Sequence, residues 1–91
     1  MEINWTSKAL SDLSRLYDFL ALVNKQAAAK TVQSLTSGPA ILLENPRLGE
    51  RVEAFDPREV RRVLIGQYEM RYEIQHSTIY ILRFWHTREE R

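Results

Sequence analysis

Tyr68-Glu69-Met70-Arg71-Tyr72-Glu73-Ile74-Gln75 is the stretch whose pattern decides the fold. Apolar Tyr68, Met70, Tyr72 and Ile74 alternate with Glu69, Arg71, Glu73 and Gln75. A period of two sends successive side chains to opposite faces of a strand, so one face of a sheet is buried here. The Tyr68, Met70, Tyr72 stripe is expected in the core. Turn residues bracket the strand, Gly66-Gln67 before it and His76-Ser77 after it. Val60 to Ile65 is β-branched and strand-like, while Thr78 to Trp85 is apolar on both sides and therefore predicts a central strand. Connections this short give an antiparallel meander. A further strand is expected over Val52 to Phe55, stopped by Asp56-Pro57.

Upstream the period lengthens. Ala9, Leu10, Leu13, Leu16, Tyr17, Leu20 and Val23 recur at three- and four-residue spacing, as on one face of a helix. Lys8, Asp12, Arg15 and Asp18 fall mostly away from that face. Thr6 or Ser7 supplies an N-cap hydroxyl, and Asn24 a second cap for a helix beginning at Lys25. A short link between helices predicts an antiparallel hairpin, with Ala27, Ala28 and Ala29 allowing close approach. Gly38-Pro39 predicts a kink or break, Pro39 starting a last short turn through Ile41, Leu42 and Leu43. Asn45-Pro46 ends that turn. Glu2-Ile3-Asn4-Trp5 alternates as a short N-terminal strand. The expected fold class is α+β, an N-terminal strand and an antiparallel helical hairpin packed on a small, mainly antiparallel sheet.

At 91 residues the chain is expected to form one domain, 1–91. It has no cysteine, which removes disulfides, zinc–thiolate sites and thiol nucleophiles together. No apolar run reaches membrane-spanning length and the N-terminus lacks a signal-peptide core, so a cytoplasmic protein without a membrane role is expected. His76 and His86 are ten residues apart without clustered carboxylates, and no cofactor motif appears, so neither metal nor cofactor is expected. Net charge is +1, but its distribution is uneven. Residues 44–91 hold nine arginines and no lysine, balanced by nine acidic residues. A protein that binds nucleic acid mainly through phosphates would be more basic.

Several local sequences in this order resemble the RelE/ParE toxin superfamily, and most closely its ParE branch. Trp5-Thr6 followed by Ala9, Leu10, Asp12 and Leu13 is similar to the ParE opening, a strand tryptophan before an Ala-x-x-Asp-Leu helix start. Asn24 with Ala27 to Ala29 is similar to the family's Asn-Pro-x-Ala-Ala junction, without the proline. Asn45-Pro46-Arg47-Leu48-Gly49-Glu50-Arg51 resembles its Pro-x-x-Gly-x-Arg loop. Tyr68 to Ile74 resembles the tyrosine-rich strand, and Ile79 to Arg88 the closing strand with its His86-Thr87-Arg88 end. The resemblance implies the toxin of a type II toxin–antitoxin (plasmid stabilisation) pair, in a hetero-oligomer with its antitoxin. It further implies an antitoxin with a DNA-binding N-terminal domain and a disordered C-terminal segment. ParE-type toxins inhibit DNA gyrase, whereas RelE-type toxins cut mRNA on the ribosome. One fold hosts both.

The two mechanisms ask for different residues. Cleavage of RNA through its 2′-hydroxyl needs a base, cations on the phosphate and an acid for the leaving group. Glu53, Arg62 and His86 are the set that resembles the histidine-using relatives of RelE. Those relatives place a tyrosine after the histidine, where this chain has Thr87, and no lysine follows Lys30. An inhibitor needs only a contact surface. Leu13, Arg15, Leu16 and Leu20 from the first helix, with Arg61, Arg83, Trp85, His86 and Arg88 from the sheet, are the expected antitoxin- or target-binding residues. Arg61 and Arg62 are adjacent and must point to opposite faces. Arg83, between Leu82 and Phe84, must be paired or face an open groove. A third class, an interaction domain without toxicity, is distinguished by whether expression arrests growth.

Overall fold

The computed structural model describes residues 1–89. Strand β1 (Glu2–Trp5) leads into helices α1 (Ser7–Ala21) and α2 (Lys25–Ser37), followed by a 3₁₀ segment over Gly38–Leu43. Strands β2 (Glu50–Arg51), β3 (Glu59–Ile65), β4 (Tyr68–Gln75) and β5 (Thr78–His86) complete a five-stranded sheet of order β1-β5-β4-β3-β2. The β2-β3-β4-β5 pairs are antiparallel, and β1 runs parallel to β5, pairing Glu2 with Thr78 through Trp5 with Ile81. The fold is α+β, with the helical hairpin on one face of the sheet.

Both helices start where a side chain can replace a missing backbone partner. Thr6 Oγ1 accepts from Ala9 N–H at 3.2 Å and donates to Ile81 O at 2.7 Å, so one hydroxyl caps α1 and ties it to β5. Asn24 Oδ1 accepts from Ala27 N–H at 3.1 Å at the head of α2. Gly38-Pro39 does not stop the chain; it tightens the helix into 3₁₀ geometry, with Pro39 in its first turn, where no N–H is required.

The β4 stripe is the floor of the core. Met70, Tyr72 and Ile74 pack with Ile79, Ile81 and Phe84 of β5 under Ala9, Leu13, Leu16, Leu35 and Leu42. Trp5 stacks on Phe84 with ring centroids 5.5 Å apart. The ladder shifts between Arg71 and Tyr72: Arg71 faces Arg83 and Tyr72 faces Ile81, which makes Leu82 an extra residue in β5.

Three expectations are corrected. Val52 to Phe55 is not a strand. Pairing stops after Arg51, Val52 N–H still reaches Val60 O at 2.8 Å, and Glu53–Phe55 then coil into a 3₁₀ turn that lays the Phe55 ring against Arg58 and Arg71. Four residues at period two fit a turn equally well. Asp12 does not lie away from the buried face; it is 5% exposed, because β5 supplies donors to it. Leu10, Tyr17 and Val23, assigned to the buried stripe, are exposed, Val23 at 89%. The stripe is narrower than its apolar residues, and Ala9, Asp12, Leu13 and Leu16 are its buried members.

Candidate functional site

β1 ends at Trp5, so among the described residues the second half of β5 has no strand neighbour on that side. Side chains of α1 stand in for one. Thr6 Oγ1 also donates to Leu82 O at 3.2 Å, Asp12 Oδ2 accepts from Phe84 N–H at 2.9 Å, and Arg15 Nη2 donates to Phe84 O at 3.3 Å. The strand edge is thereby capped by side chains rather than by backbone.

Two clefts open beside this edge. The larger, of about 890 Å³, is lined by Thr6, Ser7, Lys8 and Arg15 on the α1 side and by Arg71, Leu82, Arg83 and Trp85 on the sheet, with Phe55 and Glu89 at its margins. It is cationic and aromatic together. The Arg71 guanidinium carbon lies 4.7 Å from the centroid of the Trp85 ring and 5.5 Å from that of Phe55, and Arg83 lies 5.8 Å from Trp85. The smaller, of about 260 Å³, is lined by Leu16, Phe19, Leu20, Tyr68, His86, Arg88 and Glu89. Glu89 borders both.

Arg83 is paired rather than free. Its Nε donates to Asp12 Oδ2 at 2.8 Å and its Nη2 to Asp12 Oδ1 at 3.3 Å. Burial pushes the Asp12 carboxyl up, but the hydrogen bonds from Arg83 and Phe84 and the charges of Arg83 and Arg15 outweigh it and hold the group below its usual 3.8. The Tyr68 hydroxyl is raised above its usual 10.0, first by burial and then by the Glu89 carboxylate.

Of the binding residues read from the sequence, Arg15, Arg83 and Trp85 meet in the larger cleft, and Leu16, Leu20, His86 and Arg88 in the smaller. Leu13 is in the core and lines neither. Arg61 is elsewhere: its Nε donates to Glu59 at 2.9 Å and its Nη1 to Gly49 O at 2.8 Å, which fixes the loop before β2. Sequence reading missed Lys8, Phe19, Phe55, Arg71 and Glu89. Arg71 had a signal, as the one cation among the outward residues of β4. The others reach the clefts through packing between distant segments.

Glu53, Arg62 and His86 are not brought together. Arg62 pairs across the sheet with Arg71, and Arg71 with Arg83, so Arg62 projects from the face opposite the helices, where its Nη2 donates to Glu50 at 2.8 Å. His86 is opposite Tyr68, in the row that continues Met70 and Phe84, and therefore projects from the helix-bearing face. Both its ring nitrogens are occupied: Nδ1 accepts from Arg88 N–H at 3.1 Å and Nε2 lies 3.2 Å from Gln67 Oε1. Glu53 is exposed in the 3₁₀ turn. Among the described residues, no group of three or more His, Cys, Asp or Glu side chains converges as metal ligands would, and no helix is long and apolar enough to cross a membrane.

A helical hairpin over a five-stranded sheet, with clefts beside the closing strand, is an architecture shared with one family of type II toxin–antitoxin toxins. The model of the family described as ParE toxin of type II toxin-antitoxin system, parDE, matches residues 3–91, and the chain belongs to that family. It is 28% identical over 85 residues, 93% of each chain, to Toxin RelE2 of Caulobacter vibrioides. A solved structure titled Chromosomal ParDE TA system from P. aeruginosa superposes with a TM-score of 0.77 at 26% identity, covering 94% of this chain and 95% of that one.

Proposed function

We propose that this toxin inhibits DNA gyrase in the cytoplasm, arresting replication, and is neutralised by a cognate antitoxin whose disordered C-terminal segment folds onto it. The observation that supports inhibition over cleavage is the dispersal of the ribonuclease set. Arg62 and His86 leave the sheet from opposite faces, and the His86 ring nitrogens are already engaged. A general acid or base needs a nitrogen within reach of the reacting oxygen. A contact surface asks only for accessible groups, which the clefts provide through Arg15, Arg83 and Arg88. An antitoxin with a DNA-binding N-terminal domain completes the hetero-oligomer in this reading.

The test is gyrase supercoiling of relaxed plasmid with purified, antitoxin-free protein, scoring linear DNA after protease treatment. Loss of supercoiling with protein-linked breaks is the expected result, and alanine at Arg83, His86 and Arg88 then maps the surface. Untouched gyrase at high toxin excess would overturn the reading. The likeness to Toxin RelE2 favours a second one, cleavage of mRNA on the ribosome, which that outcome would bring forward.

A further inference from the structure

Glu89 is bound where a partner's side chain would be expected to bind. Its Oε2 accepts from Arg15 Nη1 at 3.0 Å, and its Oε1 accepts from His86 N–H at 3.1 Å. Residues 84 and 86 both turn their N–H groups away from β4, since Trp85 lies between them in the ladder. Asp12 takes the first of these donors and Glu89 the second. A buried carboxylate of α1 thus caps one edge position, and a partly exposed carboxylate just beyond β5 caps the other.

We propose that Arg15 and His86 N–H form an exchangeable carboxylate seat, which Glu89 fills in the free chain and an acidic side chain of a peptide partner takes over on binding. The proposal rests on the reading that a protein segment folds onto this toxin. The seat does not depend on Glu89 for its shape, because Arg15 is also held by Phe84 O at 3.3 Å and by Asp12 at 3.5 Å. The occupant is weakly held. Both partners of the pair are substantially solvated, and such surface pairs contribute little. Beyond its carboxylate, Glu89 is fixed by its own N–H to His86 O at 2.9 Å.

The surroundings define the partner. Withdrawal of Glu89 joins the two clefts, since it borders both. On one side stand Lys8, Arg71 and Arg83; on the other, Leu16, Phe19 and Tyr68 line an apolar cleft, with Phe19 69% exposed. The complement is a peptide carboxylate beside a bulky apolar residue. A nucleic-acid backbone fits less well: net charge is +1, and Leu16, Phe19 and Leu20 offer nothing to phosphate.

The test is a heteronuclear NMR titration of the full chain with acetyl-Leu-Glu-Leu-Phe-amide, with its Gln twin, and with hexauridylate. The Glu peptide is expected to move the His86 N–H and Arg15 Nε–H signals, with the Gln twin about 10-fold weaker, as for loss of a charge-assisted contact. Glu89→Gln, which removes the charge that holds the occupant in the seat, is expected to tighten the Glu peptide roughly 3-fold, the scale of a surface ion pair. Arg15→Gln is expected to abolish the effect, and Arg15→Lys, which keeps the charge and protects the fold, to restore part of it. Equal binding of the twins, an unchanged affinity in Glu89→Gln, or hexauridylate moving the same signals more strongly than the peptide would each overturn the proposal. Gyrase is absent from this titration, so a failure here leaves the gyrase result standing, and the reverse also holds.

Discussion

Asp12 and Arg83, 71 positions apart in the chain, meet in a two-point ion pair whose shorter contact is 2.8 Å, and the same carboxylate accepts the Phe84 N–H. One buried oxygen pair therefore locks α1 to the unpaired half of β5. Asp12→Ala leaves a guanidinium and a strand N–H without their acceptor. The expected loss is roughly 2 kcal/mol, less than for a fully buried pair because water reaches Arg83. Thermal unfolding should show a midpoint about 8–16 °C lower, given the sensitivity of a domain this small. An unchanged midpoint would mean that the clamp contributes nothing.

Acid should unfold the protein through a small set of carboxylates. Asp12 lies below 3.8 against the pull of its burial; Glu59 lies below 4.5, burial again opposing and Arg61 and Arg47 prevailing; Glu73 lies below 4.5 chiefly through Arg58. A folded-state pKa below the unfolded one adds stability that is present above the unfolded value and lost as pH falls through the folded value. Urea midpoints should therefore hold steady from neutrality to about pH 5 and fall below about pH 4. Asp12→Asn, less stable at neutral pH, should lose less on acidification than the parent.

The meander and the helical hairpin were legible because each rests on a period repeated over many residues. Tyr68 to Ile74 was legible as a strand, although Glu69 and Glu73 on its polar face are buried as well; Asn24 is a cap by its chemistry, and of Thr6 and Ser7 it is Thr6 that caps. The 3₁₀ turn at Glu53–Phe55 was not legible, because its shape comes from a local turn and from Arg58 and Arg71 approaching the Phe55 ring. The place of Asp12 was hidden for a related reason: a carboxylate reads as solvated until the distant strand that supplies its donors is known. At the site, single residues such as Arg83 and Trp85 could be picked out by type and position. Their convergence with Lys8 and Glu89 depends on where β1 stops, which no local pattern announces.

Tyr72 holds the loop that leads into β2. Its hydroxyl, buried in the core, accepts from Gly49 N–H at 2.9 Å and donates to Pro46 O at 2.8 Å. Gly49 has no room for a side chain, since a Cβ there would come within 2.6 Å of Arg62 O and 2.8 Å of the Tyr72 hydroxyl. Tyr72→Phe strands a buried N–H, at a cost of about 1–3 kcal/mol. Chemical denaturation should read that loss, and amide exchange should show Gly49 losing protection more than Met70 does.

His76 occupies the tight turn between β4 and β5 with φ of +54°, a left-handed conformation that a Cβ disfavours. His76→Asn should relieve part of that cost and raise stability by about 0.5 kcal/mol, since asparagine tolerates the region better. Gly66, at φ of +62° in the preceding turn, is the contrasting case. Gly66→Ala should cost about 1 kcal/mol, although nothing lies within 4 Å of the added methyl, so the penalty is one of backbone conformation alone.

Arg62 separates the two mechanisms most cleanly. It is exposed, its Glu50 partner is more exposed still, and their side chains meet at 2.8 Å on the face away from the helices. Arg62→Ala should therefore change stability by less than about 1 kcal/mol. If the toxin acts as a gyrase inhibitor through the clefts beside β5, growth arrest on induced expression should persist in this variant. Arg83→Ala, which alters the larger cleft, should weaken arrest. A folded Arg62→Ala protein that no longer arrests growth, beside an Arg83→Ala protein that still does, would transfer the active surface from the clefts beside β5 to the β2-β3 end of the sheet. A phosphate-contacting arginine, and with it mRNA cleavage, would then become the better account.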